Sequence, residues 1–374
     1  MESTPRASAP TESWIALTGR RDMPVDGVND YCTFLGQALA RRGVALEKAR
    51  VNWIEDGWLR SLYRLWRDGA GWRGKWVIVQ YTAMGWSRRG FPIGSLAALA
   101  ILKGHGARCA VVFHEPFGIR GPRLIDRIRE ACQNWIVQSL YRRADRCIFT
   151  APLKTIAWLP ENSTKAKFIP IGANIPERAE PPVAVAGRNG SGKTVVVFCL
   201  SDPPCRQDEI NDISRAVRAA GNGGAGLRVV FLGRGTAEAK KEIESAFERI
   251  PVEMTNLGLQ DSAEISRILA GSDAMLCARG RLYPRRGSAL AGIASGLPII
   301  GYAGAAEGTP LEEAGVELVP YRDAEAMGRA LARVLGDVNL HKSLVERSRS
   351  AYANYFSWGF IAASFVEFLG PWPA

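Results

Sequence analysis

Arg285 and Arg286 are the residues of this sequence best placed to do chemistry. They stand directly ahead of a run of small residues, Ser288–Ser295, that reads as a short helix. Ser288 suits its N-cap, and Gly296 followed by Pro298 marks a regular stop. A helix start leaves backbone N–H groups unpaired and carries partial positive charge, and the planar guanidinium forks ahead of it match phosphate oxygens. Arg279 and Arg281 lie in the same basic loop, after an expected strand at Asp273–Cys277; an apolar strand, Ile299–Tyr302, follows. A solvated basic loop would have the same composition. The strand–loop–helix–strand order around it favours an anion site.

Other candidates are weaker alone. His114 sits where a predicted strand, Cys109–Phe113, ends, the edge at which α/β sheets place ligand groups. Phe231–Gly235 (FLGRG) is a strand running into a Gly-x-Gly turn, which lets backbone approach a ligand closely. Arg206 follows the strand Val195–Cys199 and is within reach of a phosphate there, although a surface arginine would look the same. His105 and His341 receive no role. Gly187–Thr194 (GRNGSGKT) satisfies the P-loop pattern, which needs a strand before it and a helix after it. Here Thr194 opens TVVVFCL, a β-branched run expected to be a strand, so a linker is the better reading. No histidine–carboxylate cluster has metal-ligand spacing and no Asp-x-Asp occurs, so no metal or other cofactor is expected.

The elements that must position these groups alternate. Strands are expected at Trp14–Thr18, Val77–Tyr81, Cys109–Phe113 and Arg146–Thr150, with helices near Asn29–Gly43, at Phe91–Leu102 and at Ile125–Tyr141. The alternation breaks at Pro170–Lys193, rich in Pro, Gly and Ala. It restarts with strands Val195–Cys199, Leu227–Leu232 and Val252–Leu257, helices Ile265–Ala270 and Glu325–Leu335, and an aromatic terminal helix, Tyr352–Leu369. This order predicts parallel sheets with ligand groups at strand C-termini. The 374 residues suit two domains.

Charge is uneven. Residues 1–180 hold 27 Lys and Arg against 16 Asp and Glu, whereas the remainder holds 21 of each, so the net +11 lies wholly in the first half. That half is expected to meet something anionic: nucleic acid, a headgroup surface or a phosphorylated substrate. The basic segment with Arg120, Arg123, Arg127 and Arg129, interleaved with Trp135 and Tyr141, could lie on such a headgroup surface or pack as a solvated helix. Seven scattered cysteines without a CxxC pair support neither a disulfide framework nor a zinc site and fit a reducing cytoplasm. No signal peptide is expected, and the longest apolar run, Phe91–Leu102, is too short to span a bilayer.

Taken in order, the segments resemble the group 1 (family 4) glycosyltransferases of GT-B fold. Pro24–Tyr31 resembles that family's first loop, and His114-Glu115 the position of its histidine near the transferred sugar. Phe168–Asn174 is similar to the family's Ile-Pro-Asn-Gly-Val-Asp segment, and Leu257-Gly258-Leu259 to the turn holding the nucleotide base. Ala294–Ile300 is similar to its Gly-Leu-Pro run, and Tyr355–Trp358 to the start of its crossing helix. The sequence departs where the family carries a pair of glutamates: Tyr283 and Ala291 occupy those positions, and Arg285-Arg286-Gly287-Ser288 looks like a divergent variant.

The resemblance implies two Rossmann-like α/β domains across a cleft: a tail at 1–12, an acceptor-side domain at 13–175 completed by a crossing helix at 355–374, a linker at 176–193, and a donor domain at 194–354. It implies a retaining, metal-independent hexosyltransferase that uses a nucleotide diphosphate sugar. His114, Arg285 and Arg286 would be catalytic, with donor contacts from Arg206, Gly233, Gly258, Leu259, Ser288 and Glu307. Asp26, Gly27, Val28, Arg88 and Arg89 would lie on the acceptor side. The expected partners are a nucleotide-sugar donor, a lipid-linked or polysaccharide acceptor in bacterial surface glycan synthesis and an anionic membrane, not nucleic acid; the expected location is cytoplasmic or peripheral at the inner membrane face. A rival reading, which the missing glutamates favour, is a GT-B scaffold that has lost catalysis and serves as a partner subunit.

Overall fold

A computed structural model describes residues 12–19, 27–175, 192–221, 226–304 and 309–370. The chain divides into two compact units, Met1–Ile171 with Trp358–Ala374, and Gly172–Ser357.

The first unit runs β1 (Glu12–Thr18), α1 (Gly27–Ala40), β2 (Val44–Arg50), α2 (Trp58–Gly69), β3 (Trp76–Tyr81), α3 (Ile93–Gly104), β4 (Arg108–Phe113), α4 (Leu124–Arg143), β5 (Arg146–Phe149) and β6 (Ala166–Phe168). Its six strands are parallel, in the order β2-β1-β3-β4-β5-β6. β3 (WVIVQY) is buried at every position, as a strand covered on both faces must be. The chain steps one way from β1 to β2 and the other way from β3 onward. With right-handed crossovers, α1 therefore falls on one face and α2, α3 and α4 on the other. The two cores match: Tyr31, Leu35 and Leu39 of α1 pack on one side of the sheet, and Leu65, Leu99, Leu102, Ile136 and Leu140 on the opposite side.

The second unit runs β7 (Thr194–Phe198), α5 (Cys205–Ala220), β8 (Arg228–Leu232), α6 (Lys240–Phe247), β9 (Glu253–Asn256), α7 (Ser262–Ala270), β10 (Ala274–Arg281), α8 (Gly287–Ala294), β11 (Ile299–Tyr302), β12 (Val316–Val319), α9 (Ala324–Gly336) and α10 (Val338–Ala351). Its parallel sheet has the order β12-β11-β10-β7-β8-β9. In chain order that is the doubly wound 3-2-1-4-5-6 arrangement, reversing between β7 and β10. The last helix, α11 (Trp358–Leu369), returns to the first unit, where Trp358 stacks on Phe34 at 5.8 Å and meets Tyr31 edge-on at 5.2 Å.

Several local expectations are corrected. The single helix expected over Tyr352–Leu369 is a π-helical turn, Tyr352–Phe356, and then α11, because Ser357 is extended (ψ 142°) and ends the first segment. β10 continues past Cys277 to Arg281, with a register shift against β11 between those residues, so Arg279 belongs to a strand rather than a loop. Arg286, not Ser288, is the N-cap of α8; its backbone is extended (φ −83°, ψ 100°) and Ser288 lies inside the first turn. Glu12, assigned to the tail, opens β1. β2, α2, β6, α5, α6, β12 and α10 had not been expected at all.

Candidate anion site at the second sheet's reversal

Where neighbouring strands send their chains in opposite directions, the loops part and leave a crevice at the strand C-termini. In the second unit that place is the end of β7 beside the end of β10. β7 leads into Cys199, which adopts a left-handed backbone (φ 68°), a conformation that costs a non-glycine residue about 1–3 kcal/mol and persists where surroundings impose it. Leu200 and Ser201 follow. Arg279, near the end of β10, donates from Nε to Ser201 Oγ at 3.3 Å. The Ser201 N–H donates to Glu209 of α5 at 2.9 Å, and Glu209 is buried.

Arg286 completes the cluster. Its Nη2 donates to the Arg281 carbonyl at 3.0 Å, whereas Nη1 is buried with no hydrogen-bond partner. Burial pushes its pKa below the usual arginine value; Cys277, Glu209 and Tyr283 oppose the shift and neighbouring Arg279 adds to it. Burial likewise pushes the Cys277 thiol up to about 11, against the pull of Arg286. Arg279 thus reaches the buried Glu209 only through Ser201, and Arg286 beside it keeps an unsatisfied N–H. A desolvated donor of this kind costs free energy unless a ligand meets it, and a dianion such as a diphosphate supplies both the charge and the acceptor.

The wall from β8 is the Gly233-Arg234-Gly235 turn. Both glycines are left-handed (φ 89° and 85°). A Cβ on Gly233 would lie 2.8 Å from Cys199 Sγ and from the Phe198 ring, so this close approach admits glycine alone. The Gly233 N–H donates to the Gly258 carbonyl at 2.7 Å, tying the turn to the one after β9. Gly258 is itself left-handed (φ 65°), and its neighbours Leu257 and Leu259 are exposed.

Two further arginines, Arg206 and Arg281, lead elsewhere. Arg206, in the first turn of α5, donates to Glu242 of α6 at 2.8 Å, which ties its guanidinium to a carboxylate. Arg281 donates to the Ala303 carbonyl and lies over the Tyr321 ring at 4.5 Å. Arg285 occupies the turn between β10 and α8, and Ser288 is partly exposed in the first turn of α8. Tyr283 is exposed and Ala291 is buried inside α8, so neither position offers a carboxylate. Glu307 and Asp26 lie outside the described residues.

In the first unit His114 follows β4, and its Nε2 lies 2.8 Å from Gln80 Oε1 in a hydrogen bond. Its ring meets Tyr31 edge-on at 5.0 Å. Gln80 Nε2 and Tyr31 Oη are both buried without a hydrogen-bond partner. Sequence reasoning missed Gln80. A polar residue inside the β-branched run of β3 was the available signal. Gly27 opens α1 with Val28 beside it, and Arg88 and Arg89 are exposed ahead of α3. A polar cavity of about 230 Å³ lies between α2 and the ends of β1 and β2, lined by Arg50, Asn52, Asp56, Ser61 and Arg64 among others.

Thr194 opens β7, and Lys193 pairs with Asp273 at 3.3 Å, so the GRNGSGKT segment ends in a strand and lacks the helix a P-loop requires. Residues 176–191 lie outside those described. Among the described residues no group of three or more His, Cys, Asp or Glu side chains could hold a metal ion, and no helix is long and apolar enough to cross a membrane.

No protein-family model matches this sequence, and none of the curated proteins does. Solved structures do match. A sucrose-phosphate synthase from Thermosynechococcus elongatus aligns over 96% of this chain and 98% of its own, with a TM-score of 0.67 at 16% identity. A glycosyltransferase from Rickettsia africae aligns over 96% and 100%, with a TM-score of 0.68 at 12% identity. HepE from Anabaena, in complex with UDP and glucose, aligns over 96% and 99%, with a TM-score of 0.65 at 12% identity. With its two six-stranded parallel sheets, the chain has the GT-B fold.

Proposed function

We propose that the chain is a glycosyltransferase that takes a sugar from a nucleotide diphosphate donor and passes it to a lipid-linked or polysaccharide acceptor. The observation that carries this reading is the buried, unpartnered Nη1 of Arg286 beside Arg279, at the second sheet's reversal. In that role the two guanidinium groups, with Arg285 and the start of α8, neutralise charge building on the leaving diphosphate and do the work a divalent cation would otherwise do. The bond from the anomeric carbon to the diphosphate oxygen breaks and the bond to the acceptor oxygen forms. The acceptor's proton passes to the departing phosphate oxygen on the same face, which retains configuration. Gly233, Gly258 and Leu259 then border the nucleotide, with Ser288 and Arg206 beside the diphosphate, although Arg206 would have to leave Glu242 first. His114, hydrogen-bonded to Gln80, positions the transferred sugar. Gly27, Val28, Arg88 and Arg89 belong to the acceptor side, and a role in surface glycan synthesis at an anionic membrane follows from the charge of the first unit. The complex of HepE with UDP and glucose supports a sugar-nucleotide donor.

A screen of nucleotide diphosphate sugars for thermal stabilisation tests this, since a ligand that binds the native state raises apparent stability. The best ligand is then titrated calorimetrically. Arg286→Ala should weaken its binding about ten- to a hundred-fold, the equivalent of ~1.5–3 kcal/mol for a charge-assisted hydrogen bond. Unchanged affinity sinks the site. Tyr283 and Ala291 favour a second reading, a scaffold that binds the nucleotide without turnover. Radiolabelled sugar release, measured on the same preparation, separates the two.

A further inference from the structure

Three helices cover one face of the first sheet, and the surface they turn outward is unusual. On α2, Leu59, Tyr63 and Trp66 recur at helical spacing and are exposed, Leu59 to 89% and Trp66 to 54%. On α4, Leu124, Ile128 and Trp135 recur in the same way, Leu124 being 74% and Trp135 54% exposed. The inward faces of the same helices are filled by Leu65 and by Ile136 and Leu140, so these residues extend each helix's apolar surface beyond what the unit's own core uses. Between the two helices lies α3, whose first residue, Ile93, is also exposed. The layer is continuous: Trp58 of α2 lies against Gly94, and Arg129 of α4 donates to the Arg89 carbonyl just ahead of α3 at 2.8 Å.

The stripes are bordered by cations. Residues 58–143 carry 15 Lys and Arg against 4 Asp and Glu, a surplus of 11 that equals the net charge of the whole chain. Arg60 and Arg67 flank the α2 stripe, and Arg120, Arg123 and Arg127 flank that of α4; all are exposed. Nucleic acid would exploit this charge but would gain nothing from exposed leucine and isoleucine. An anionic bilayer uses both, because apolar side chains sink below the headgroups while guanidinium groups stay among the phosphates, and tryptophan favours the boundary. We propose that the α2–α3–α4 layer is a docking face for anionic lipid bilayers, with the two apolar stripes inserted and the arginines paired to lipid phosphates. This deepens the functional reading above, which it needs only to explain why the chain visits a membrane; binding itself requires no donor.

Full-length protein is sedimented with vesicles of phosphatidylcholine, with and without phosphatidylglycerol, across a salt series. Binding should require the anionic lipid and weaken as salt screens the arginines. Leu59→Gln with Leu124→Gln should reduce partitioning about ten-fold with the salt dependence kept. Arg60→Gln, Arg123→Gln and Arg127→Gln together should flatten the salt dependence. Brominated lipid should quench the emission contributed by Trp66 and Trp135, read by difference from Trp66→Phe and Trp135→Phe. All these positions are exposed, so unchanged circular dichroism establishes that the variants fold. The leucine variant binding like wild type overturns the proposal, as does an absence of quenching. So does a lipid-free dimer that the leucine variant loses, since a second copy would then cover the stripes. Arg286→Ala should bind vesicles like wild type, so failure of the donor site and failure of the docking face are read separately.

Discussion

Both units reverse chain direction inside a six-stranded parallel sheet, yet they fill the resulting opening in opposite ways. In the second unit the end of β10 and the turn after it hold Arg279, bonded to Ser201 after β7, and Arg286, which keeps a buried donor unsatisfied. In the first unit the corresponding place, between β1 and β3, is approached closely by backbone and by Trp86 among the described residues. A Cβ on Gly19, just after β1, would lie 2.3 Å from the Gly85 carbonyl oxygen, and the buried Trp86 closes over it. Trp86 donates to the Gln80 carbonyl at 2.9 Å and Trp53 to the Gly85 carbonyl at 3.2 Å, which fixes the plug. The charge runs the other way: the first unit has the surplus, but spreads it over outer helices. Net charge therefore describes a surface, whereas the candidate site rests on one desolvated arginine, Arg286, beside Arg279 at the second sheet's reversal.

The largest expected effect tests that contrast directly. Arg285→Ala with Arg286→Ala should lower affinity for a nucleoside diphosphate by at least ten-fold and up to about a thousand-fold, at ~1.5–3 kcal/mol for each charge-assisted contact. The matched pair in the first unit, Arg88→Ala with Arg89→Ala, removes as much charge and should change the same affinity less than about three-fold, ~0.6 kcal/mol. Equal losses in a calorimetric titration would mean that charge acts at a distance and that the reversal is not special.

Glycine positions sharpen the comparison next. Gly233→Ala forces a left-handed alanine against Cys199 and Phe198, and should cost about 1–3 kcal/mol of stability together with part of the nucleotide affinity. Gly27→Ala, at the start of α1, meets nothing within 4 Å and should change the melting temperature little, within ~0.5 kcal/mol. A harmless Gly233→Ala would undo the claim that backbone approaches closely there.

A smaller effect is expected at Gln80. Its Oε1 holds the His114 ring, so Gln80→Leu should lower kcat about three- to ten-fold, the ~0.5–1.5 kcal/mol of one hydrogen bond, with donor affinity unchanged. Gln80→Glu keeps an acceptor oxygen and should recover part of the loss. A fall in donor affinity with kcat intact would assign Gln80 to packing alone.

Much of the architecture was legible because buried parallel strands read as uninterrupted apolar runs: VVFL of β8 and IIGY of β11 can hardly be anything else. β2 (VALEKAR) was missed because it is an edge strand, where half-exposed charged residues imitate a helix. α2 (WLRSLYRLWRDG) does carry one broad apolar stripe opposite its charged residues, so its pattern was legible and was overlooked. Arg286 was legible from its place before a small-residue helix. The bonds beside it, from Arg279 to Ser201 and from Ser201 to Glu209, were not, because they depend on β10 continuing past Cys277, and a bulge leaves no trace in hydrophobic pattern. The engagement of Arg206 by Glu242 joins two helices, and no local rule foresees it.

The smallest effect is expected at Lys193, and it bears on the one complete motif in the sequence. Were GRNGSGKT a phosphate loop, Lys193 would reach the phosphates and Thr194 would start a helix. Thr194 instead starts β7, its N–H donating to Asp273 at 2.7 Å, and Lys193 makes a half-exposed ion pair with the same carboxylate. An exposed pair of this kind contributes about 0–1 kcal/mol, less as salt rises. Lys193→Ala should therefore leave donor affinity within about three-fold of wild type, ~0.6 kcal/mol, and shift thermal stability only slightly. The same variant should show no change in ATP hydrolysis measured against a blank. Loss of nucleotide binding in Lys193→Ala with Arg286→Ala intact would move the phosphate site from the sheet's reversal to the segment before β7, and the contrast between the two units would have to be redrawn around it.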